Sequence, residues 1–171
     1  MNKQVITHKN NTPKIESSAT IFPGAYVIGE VEVGCDTSIW FGCVIRGDVN
    51  YIKIGDRTNI QDNTVIHVTT GGSPTIIGDD VTIGHSAIIH ACTIKDRVLV
   101  GMGATIMDDV EVGEDCIIGA GSLLTSGKSF PKGHLIIGSP AKAIRPLTDK
   151  EIDNLKKSAS HYVRLAASYS T

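Results

Sequence analysis

Aromatic side chains make up only 5% of the 171 residues, too few for a core built on stacked rings. The four cysteines, Cys35, Cys43, Cys92 and Cys116, never form a CxxC pair. That spacing argues against a disulfide framework and against a cysteine-only zinc site. No stretch reaches the roughly 18 consecutive apolar residues of a membrane span. The polar opening MNKQVITHKNNTPKIESS lacks an apolar signal region, so a cytoplasmic location is expected. Lys and Arg number 16 against 18 Asp and Glu, a net charge of −2 with no basic stripe, so nucleic acid is not an expected partner. The chain is rich instead in glycine, with 18 residues, and in aliphatic side chains.

Those aliphatics recur every six positions: Ile21, Val27, Val33, Ile39 and Ile45; Ile54, Ile60 and Ile66; Ile77, Ile83 and Ile89; then Ile94, Val100, Ile106, Val112, Ile118 and Leu124. A small or β-branched residue follows four positions after each, among them Ala25, Cys43, Thr58, Ala87, Ala104 and Cys116. Neither helical nor simple strand periodicity gives six. A short strand followed by a tight turn does, with the aliphatic pointing inward and a small residue fitting the corner. Three hexapeptides close one triangular coil, and coils stack as parallel strands at about 4.8 Å. The expected fold is an all-β solenoid, a parallel β-helix of hexapeptide repeats. Cys43 and Cys116 occupy the small-residue slot and read as packing residues.

The period breaks three times. Ile45 to Ile54 carries three extra residues, Ile66 to Ile77 carries five, around VTTGGSP, and Ile89 to Ile94 is one short. Insertions in a solenoid emerge at a corner, often on the working face. Residues 1–147 are expected to form the β-helix domain, with repeats over about 21–128, and 148–171 a C-terminal helix. Thr148 is its expected N-cap, with Glu151 completing a capping box. Ile152, Leu155, Ala159, Tyr162, Val163 and Ala166 share one face at helical spacing, to be laid against the β-helix.

Within this frame the histidines acquire positions. His67 follows Ile66 and His90 follows Ile89, 23 residues on: one coil of 18 plus the insertion of five. They therefore share a slot on adjacent coils. Arg46 precedes His67 by 21 residues, 18 plus the insertion of three, and falls in the same column. Two stacked imidazoles are able to lean toward one metal ion at about 2.0–2.1 Å per Zn–N bond. His85 lies on the preceding hexapeptide with a corner between, out of reach within one chain. A threefold assembly would bring the His85 of one copy beside His67 and His90 of the next, so a homotrimer with metal sites between subunits is expected.

The stretches IRGD (Ile45 to Asp48), GDRTNIQDNTVIH (Gly55 to His67), IGHSAIIHACTI (Ile83 to Ile94) and GSPAK (Gly138 to Lys142) resemble the γ-class carbonic anhydrases, in particular the short bacterial proteins of that family. The resemblance implies a left-handed coil and a zinc ion, or Fe²⁺ or Co²⁺, bound by His67, His85 and His90, two from one subunit and one from the next. It places Gln61 and Asn59 near the metal's water, with Arg46 and Asp48 close by across the interface; Asp62 is an alternative partner for Arg46. The implied reaction is reversible hydration of CO₂ to bicarbonate, in which the cation lowers the pKa of its water from 15.7 to about 7. This chain departs from the best-studied pattern in two places. The loop after His67 has no glutamate, and the position beside Asp48 is Val49. Slow or condition-dependent hydration is therefore expected. Two other readings share the scaffold: an acyltransferase or thioesterase acting on CoA esters, and a metal-binding trimer without turnover.

Overall fold

The computed structural model describes residues 4–169, and over them the chain winds into a parallel β-solenoid of three walls. The first wall stacks Thr20–Ile21, Ser38–Ile39, Asn59–Ile60, Thr82–Ile83, Leu99–Val100, Ile117–Ile118 and His134–Gly138. The second carries the start of Tyr26–Val33, the start of Val44–Ile54, then Val65–His67, Ile88–His90, Thr105–Ile106 and Leu123–Leu124. The third carries Lys14–Ile15, the ends of those two long strands, Thr75–Ile77, Thr93–Ile94, Glu111–Val112 and Ser129–Phe130. An antiparallel strand, Ala141–Pro146, closes the last coil against His134–Gly138.

The periodic aliphatics are the interior. Ile39, Ile60, Ile83 and Ile118 on the first wall, Ile45, Ile66, Ile89 and Ile106 on the second, and Ile94 and Val112 on the third are all fully buried, stacked one above another. Each contributes about 1.5–3 kcal/mol of burial. Cys43, Cys92 and Cys116 are buried in the same interior, and burial pushes the Cys92 thiol up to about 12.

The corners explain the recurrent Gly-Asp pattern. Asp36, Arg57, Asp80, Arg97 and Asp115 form one corner column, all left-handed with φ between 54° and 57°. Such a conformation costs a non-glycine residue roughly 1–2 kcal/mol. The column offsets it by alternating charge: Arg57 clasps Asp80 at 2.8 and 2.9 Å, and Arg97 clasps Asp115 at 2.6 and 3.0 Å. Beside it, Oδ1 of Asp56, Asp79 and Asp96 accepts the backbone N–H of Cys35, Asp56 and Asp79 on the preceding coil. A Cβ at Gly55 or Gly78 would stand 2.2 Å from one of these oxygens, which is why glycine precedes the aspartates.

The helix, Asp149–Ala167, starts at Thr148, whose side chain accepts from Glu151 N while Glu151 returns to the Thr148 N–H. It lies on the first wall, against Ser38–Ile39, Asn59–Ile60 and Thr82–Ile83. Leu155, Ala159 and Ala166 are buried beneath it. Its far end meets Phe22, Trp40 and Phe41, with Phe22 and Trp40 stacked at 4.4 Å between centroids and Tyr162 edge-on to Trp40 at 5.8 Å. Among the described residues no helix is long and apolar enough to cross a membrane.

Candidate metal centre

His67 and His90 are direct register partners on adjacent strands, because Val65–His67 pairs with Ile88–His90 residue for residue. Their rings converge, with His67 Nδ1 and His90 Nε2 3.2 Å apart. Each outer nitrogen meets a carboxylate: His67 Nε2 lies 2.9 Å from Asp48 Oδ1, and His90 Nδ1 lies 2.6 Å from Asp108 Oδ1. An ionised carboxylate only accepts, so in the neutral form of each imidazole the outer nitrogen carries the proton and the inner one the lone pair. In that form two nitrogens with lone pairs lie 3.2 Å apart, placed to share one cation. Two nitrogens bound to one tetrahedral zinc at about 2.0–2.1 Å would stand about 3.3 Å apart. The donor set and its spacing thus fit a divalent metal, and a carboxylate behind each imidazole is the usual outer support of such ligands.

The insertion of three residues is what delivers Asp48. Up to Gly29 the strand Tyr26–Val33 pairs 18 positions ahead, with Gly47; from Val31 it pairs 21 ahead, with Ile52. The extra residues bulge inside a continuous strand and turn the Asp48 carboxylate onto His67. Its other oxygen takes the Arg46 guanidinium, so Asp48 bridges Arg46 and His67. Burial pushes the Asp48 carboxyl up, but the hydrogen bonds from His67 and Arg46 outweigh it and hold it at about 2. Asp108 is held below the ordinary carboxylate value chiefly by the Thr69 hydroxyl, at 2.6 Å, against its burial, with His90 adding to the effect.

The other expected residues gather elsewhere. His85 sits in the corner turn after Thr82–Ile83, its Nδ1 2.8 Å from Asp62 Oδ2. Asp62, an expected alternative partner for Arg46, is thus engaged by the histidine within this chain, while Arg46 goes to Asp48. The outer proton is fixed on Nδ1 here too, leaving the His85 Nε2 lone pair outward. Asn59 and Gln61 are buried on the helix-covered wall, Gln61 donating to Asn59 Oδ1 at 3.1 Å and Asn59 donating to Thr82 Oγ1 at 3.0 Å. Gln61 and His85 share an open groove of about 460 Å³ with Thr82, Ser158 and Tyr162. Among the described residues, no three His, Cys, Asp or Glu side chains of one chain converge to hold a metal. The expected site residues therefore form two separate groups: Arg46, Asp48, His67 and His90 on one side, and Asn59, Gln61 and His85 on the other. His134 turns to the Lys132 carbonyl, and His161 packs edge-on to Tyr162.

Two carboxylates at the site stand differently to column arithmetic. Asp62 precedes His85 by 23 positions, the spacing of His67 and His90, and was legible by the same count. Asp108 was not, because the short repeat makes the coil from Ile89 to Ile106 17 residues and puts Met107, not Asp108, in the histidine column.

Residues 91–126 match the family model for bacterial transferase hexapeptide repeats (six repeats). The chain is 48% identical over 152 residues to a probable carbonic anhydrase of Methanocaldococcus jannaschii, covering 89% of this chain and 95% of that protein. The chain belongs to the γ-class carbonic anhydrase-like family. A mitochondrial γ carbonic anhydrase 2 of Arabidopsis thaliana is 47% identical over 162 residues, 92% of this chain, and the match spans 58% of that longer protein. Two solved structures of the same architecture are a hexapeptide transferase family protein of Anaplasma phagocytophilum and a putative acetyltransferase of Bacillus cereus. The first has a TM-score of 0.95 at 45% identity, covering 99% of both chains. The second has 0.94 at 44% identity, covering 96% of this chain and 95% of that one. Membership in the γ-class family agrees with the stretches singled out from the sequence.

Proposed function

We propose that the protein is a metal-dependent carbonic anhydrase-like lyase, acting as a homotrimer, and that it hydrates CO₂ reversibly to bicarbonate. The observation that carries this reading is the pair of converging ring nitrogens on His67 and His90, 3.2 Å apart, each ring held by a carboxylate behind it. Zinc, or Fe²⁺ or Co²⁺, would be held by His67 and His90 of one subunit and His85 of a neighbour. When bound, such an ion supplies a water acidified to near neutrality.

The chain's own residues do the rest. Asp48 and Asp108 keep the ligand rings in the required tautomers. Arg46 fixes Asp48. Gln61, anchored by Asn59, presents its amide in the groove it shares with His85, in reach of what the neighbouring subunit brings. An exposed apolar row supports assembly on this side. Tyr26, Val44, Val65 and Ile88 are register neighbours along the second wall, and Tyr26, Val65 and Ile88 are 41–47% exposed beside the histidines.

Stopped-flow CO₂ hydration by the zinc- or cobalt-loaded protein tests the activity. A rate above buffer that falls with Gln61→Ala supports it; a fully loaded protein with no such rate removes the catalytic reading and leaves a metal-binding assembly. A second reading, acyl transfer from a CoA ester, draws on the 44%-identical putative acetyltransferase and on the groove beside His85. Thermal stabilisation by CoA of metal-free protein would favour it.

A further inference from the structure

The five-residue insertion after His67 does not extend freely from the corner. It is fastened at four points. Thr69 Oγ1 donates to Asp108 Oδ2 at 2.6 Å and Ser73 Oγ donates to Asp109 Oδ1 at 2.5 Å, both beyond the coil of His90. Thr75 Oγ1 donates to the His67 carbonyl at 2.7 Å, and Asn50 Nδ2 donates to the Gly72 carbonyl at 2.8 Å. The loop thus spans the histidine column and reaches the residues that follow it.

Thr75 holds only the backbone carbonyl of His67, and of the four fastenings only that of Thr69 reaches a ligand ring through its partner. The two oxygens of Asp108 divide between His90 Nδ1 and Thr69 Oγ1. Asp109, the next residue, holds Ser73 and no histidine. The pair therefore contains its own control, since one carboxylate ties the loop to the site and its neighbour only ties the loop.

Resting on the metal reading above, we propose that Asp108 is a positioning residue of the centre: it fixes the Nδ1–H tautomer of His90, and the inserted loop orients it through Thr69. A neutral imidazole with Nδ1 protonated offers Nε2 as its lone pair, the nitrogen that faces His67. Without the carboxylate the ring is free to rotate and to protonate at Nε2, which would aim a donor into the site. Outer partners of this kind change metal affinity by about 10–100-fold when removed. The Thr69 hydroxyl occupies the second oxygen and stops the carboxylate from swinging, so loop and ligand are coupled through two hydrogen bonds.

The test uses the full chain and two readouts. Imidazole ¹⁵N–¹H correlation spectra of metal-free protein report the His90 tautomer directly. Asp108→Ala should move His90 out of the Nδ1–H form, while Asp108→Asn, which keeps an accepting oxygen, and Ser73→Ala should leave it there. Competition with a chromophoric chelator for Co²⁺ then gives affinity. Asp108→Ala should bind about 10–100-fold more weakly and Thr69→Val more weakly by a smaller factor, with Ser73→Ala unchanged. If wild-type protein binds Co²⁺ and Asp108→Ala binds it equally well, or if Ser73→Ala weakens binding as much as Thr69→Val, the positioning role is overturned while the metal centre stands. Wild-type protein that binds no Co²⁺ would remove the metal reading instead. A wild-type His90 found in the Nε2–H form would overturn this proposal in its own right.

Discussion

Two walls of the same solenoid, built from the same repeat, treat their outward polar residues in opposite ways. On the first wall the helix covers the outer surface, and Asn59 and Gln61 complete their hydrogen bonds with Thr82 and with each other while buried. On the second wall Tyr26, Val65 and Ile88 stay exposed, and the inner ring nitrogens of His67 and His90 beside that row face one another. A buried polar group left without a partner costs about 1–3 kcal/mol, so chains normally satisfy such groups internally. The contrast teaches that the first wall is finished within the chain, whereas the second leaves two histidine ring nitrogens facing each other beside an exposed apolar row, which the proposed function fills with a cation and another copy.

The sharpest way to break that contrast is to make the bare wall polar. Ile88→Asp should leave the solenoid intact by circular dichroism but reduce the particle from a trimer to single 18.2 kDa chains on analytical ultracentrifugation, with loss of bound metal. A variant that stays trimeric would mean the row is not an interface. The finished wall breaks differently. Trp40 is 5% exposed and stacks on Phe22 beneath the helix, so Trp40→Ala should lower unfolding stability by about 3–5 kcal/mol in urea titration.

A smaller effect sharpens the comparison at the helix start. Hydrogen bonds from Arg145, and then from Thr148, hold the Glu151 carboxyl at about 2, below its unfolded value of about 4.3. A depressed carboxyl stabilises fully above its unfolded value, and that contribution fades as pH falls through the folded one. The helix anchorage should therefore weaken between about pH 4 and pH 2 in thermal melts, and Glu151→Gln should flatten that limb. An unchanged acid limb in Glu151→Gln would show that the pair with Arg145 does not couple to folding.

The fold was legible because the period of six admits few structures, and the aliphatics named from it are buried in the interior, save Ile21, which packs partly buried against it. The stacking of His67 on His90 was legible for the same reason, since adding the insertion length to 18 gives their register. Two things were not. Asp48 reaches His67 because three inserted residues form a bulge within a strand, and counting gives their number but not the direction a bulge turns its side chains. Asp108 reaches His90 from outside the histidine column, because one missing residue in the short repeat shifts the next coil by a position. The expected place of Gln61, near the water of a metal shared across a subunit interface, came from family resemblance and not from the coil count. Within one chain Gln61 lies on a different wall from His67 and His90, beside His85, because each corner turns the chain to a new face.

The claim that the centre is divided between copies can be tested by mixing variants. His85→Ala chains keep His67 and His90, and His67→Ala/His90→Ala chains keep His85; each alone should hold almost no metal. Co-refolded in equal amounts, one interface in four pairs the intact halves, so about a quarter of the wild-type metal content should return in elemental analysis of the mixed trimer. Mixed trimers that recover none, or His85→Ala trimers that already hold a full complement, would contradict a shared site.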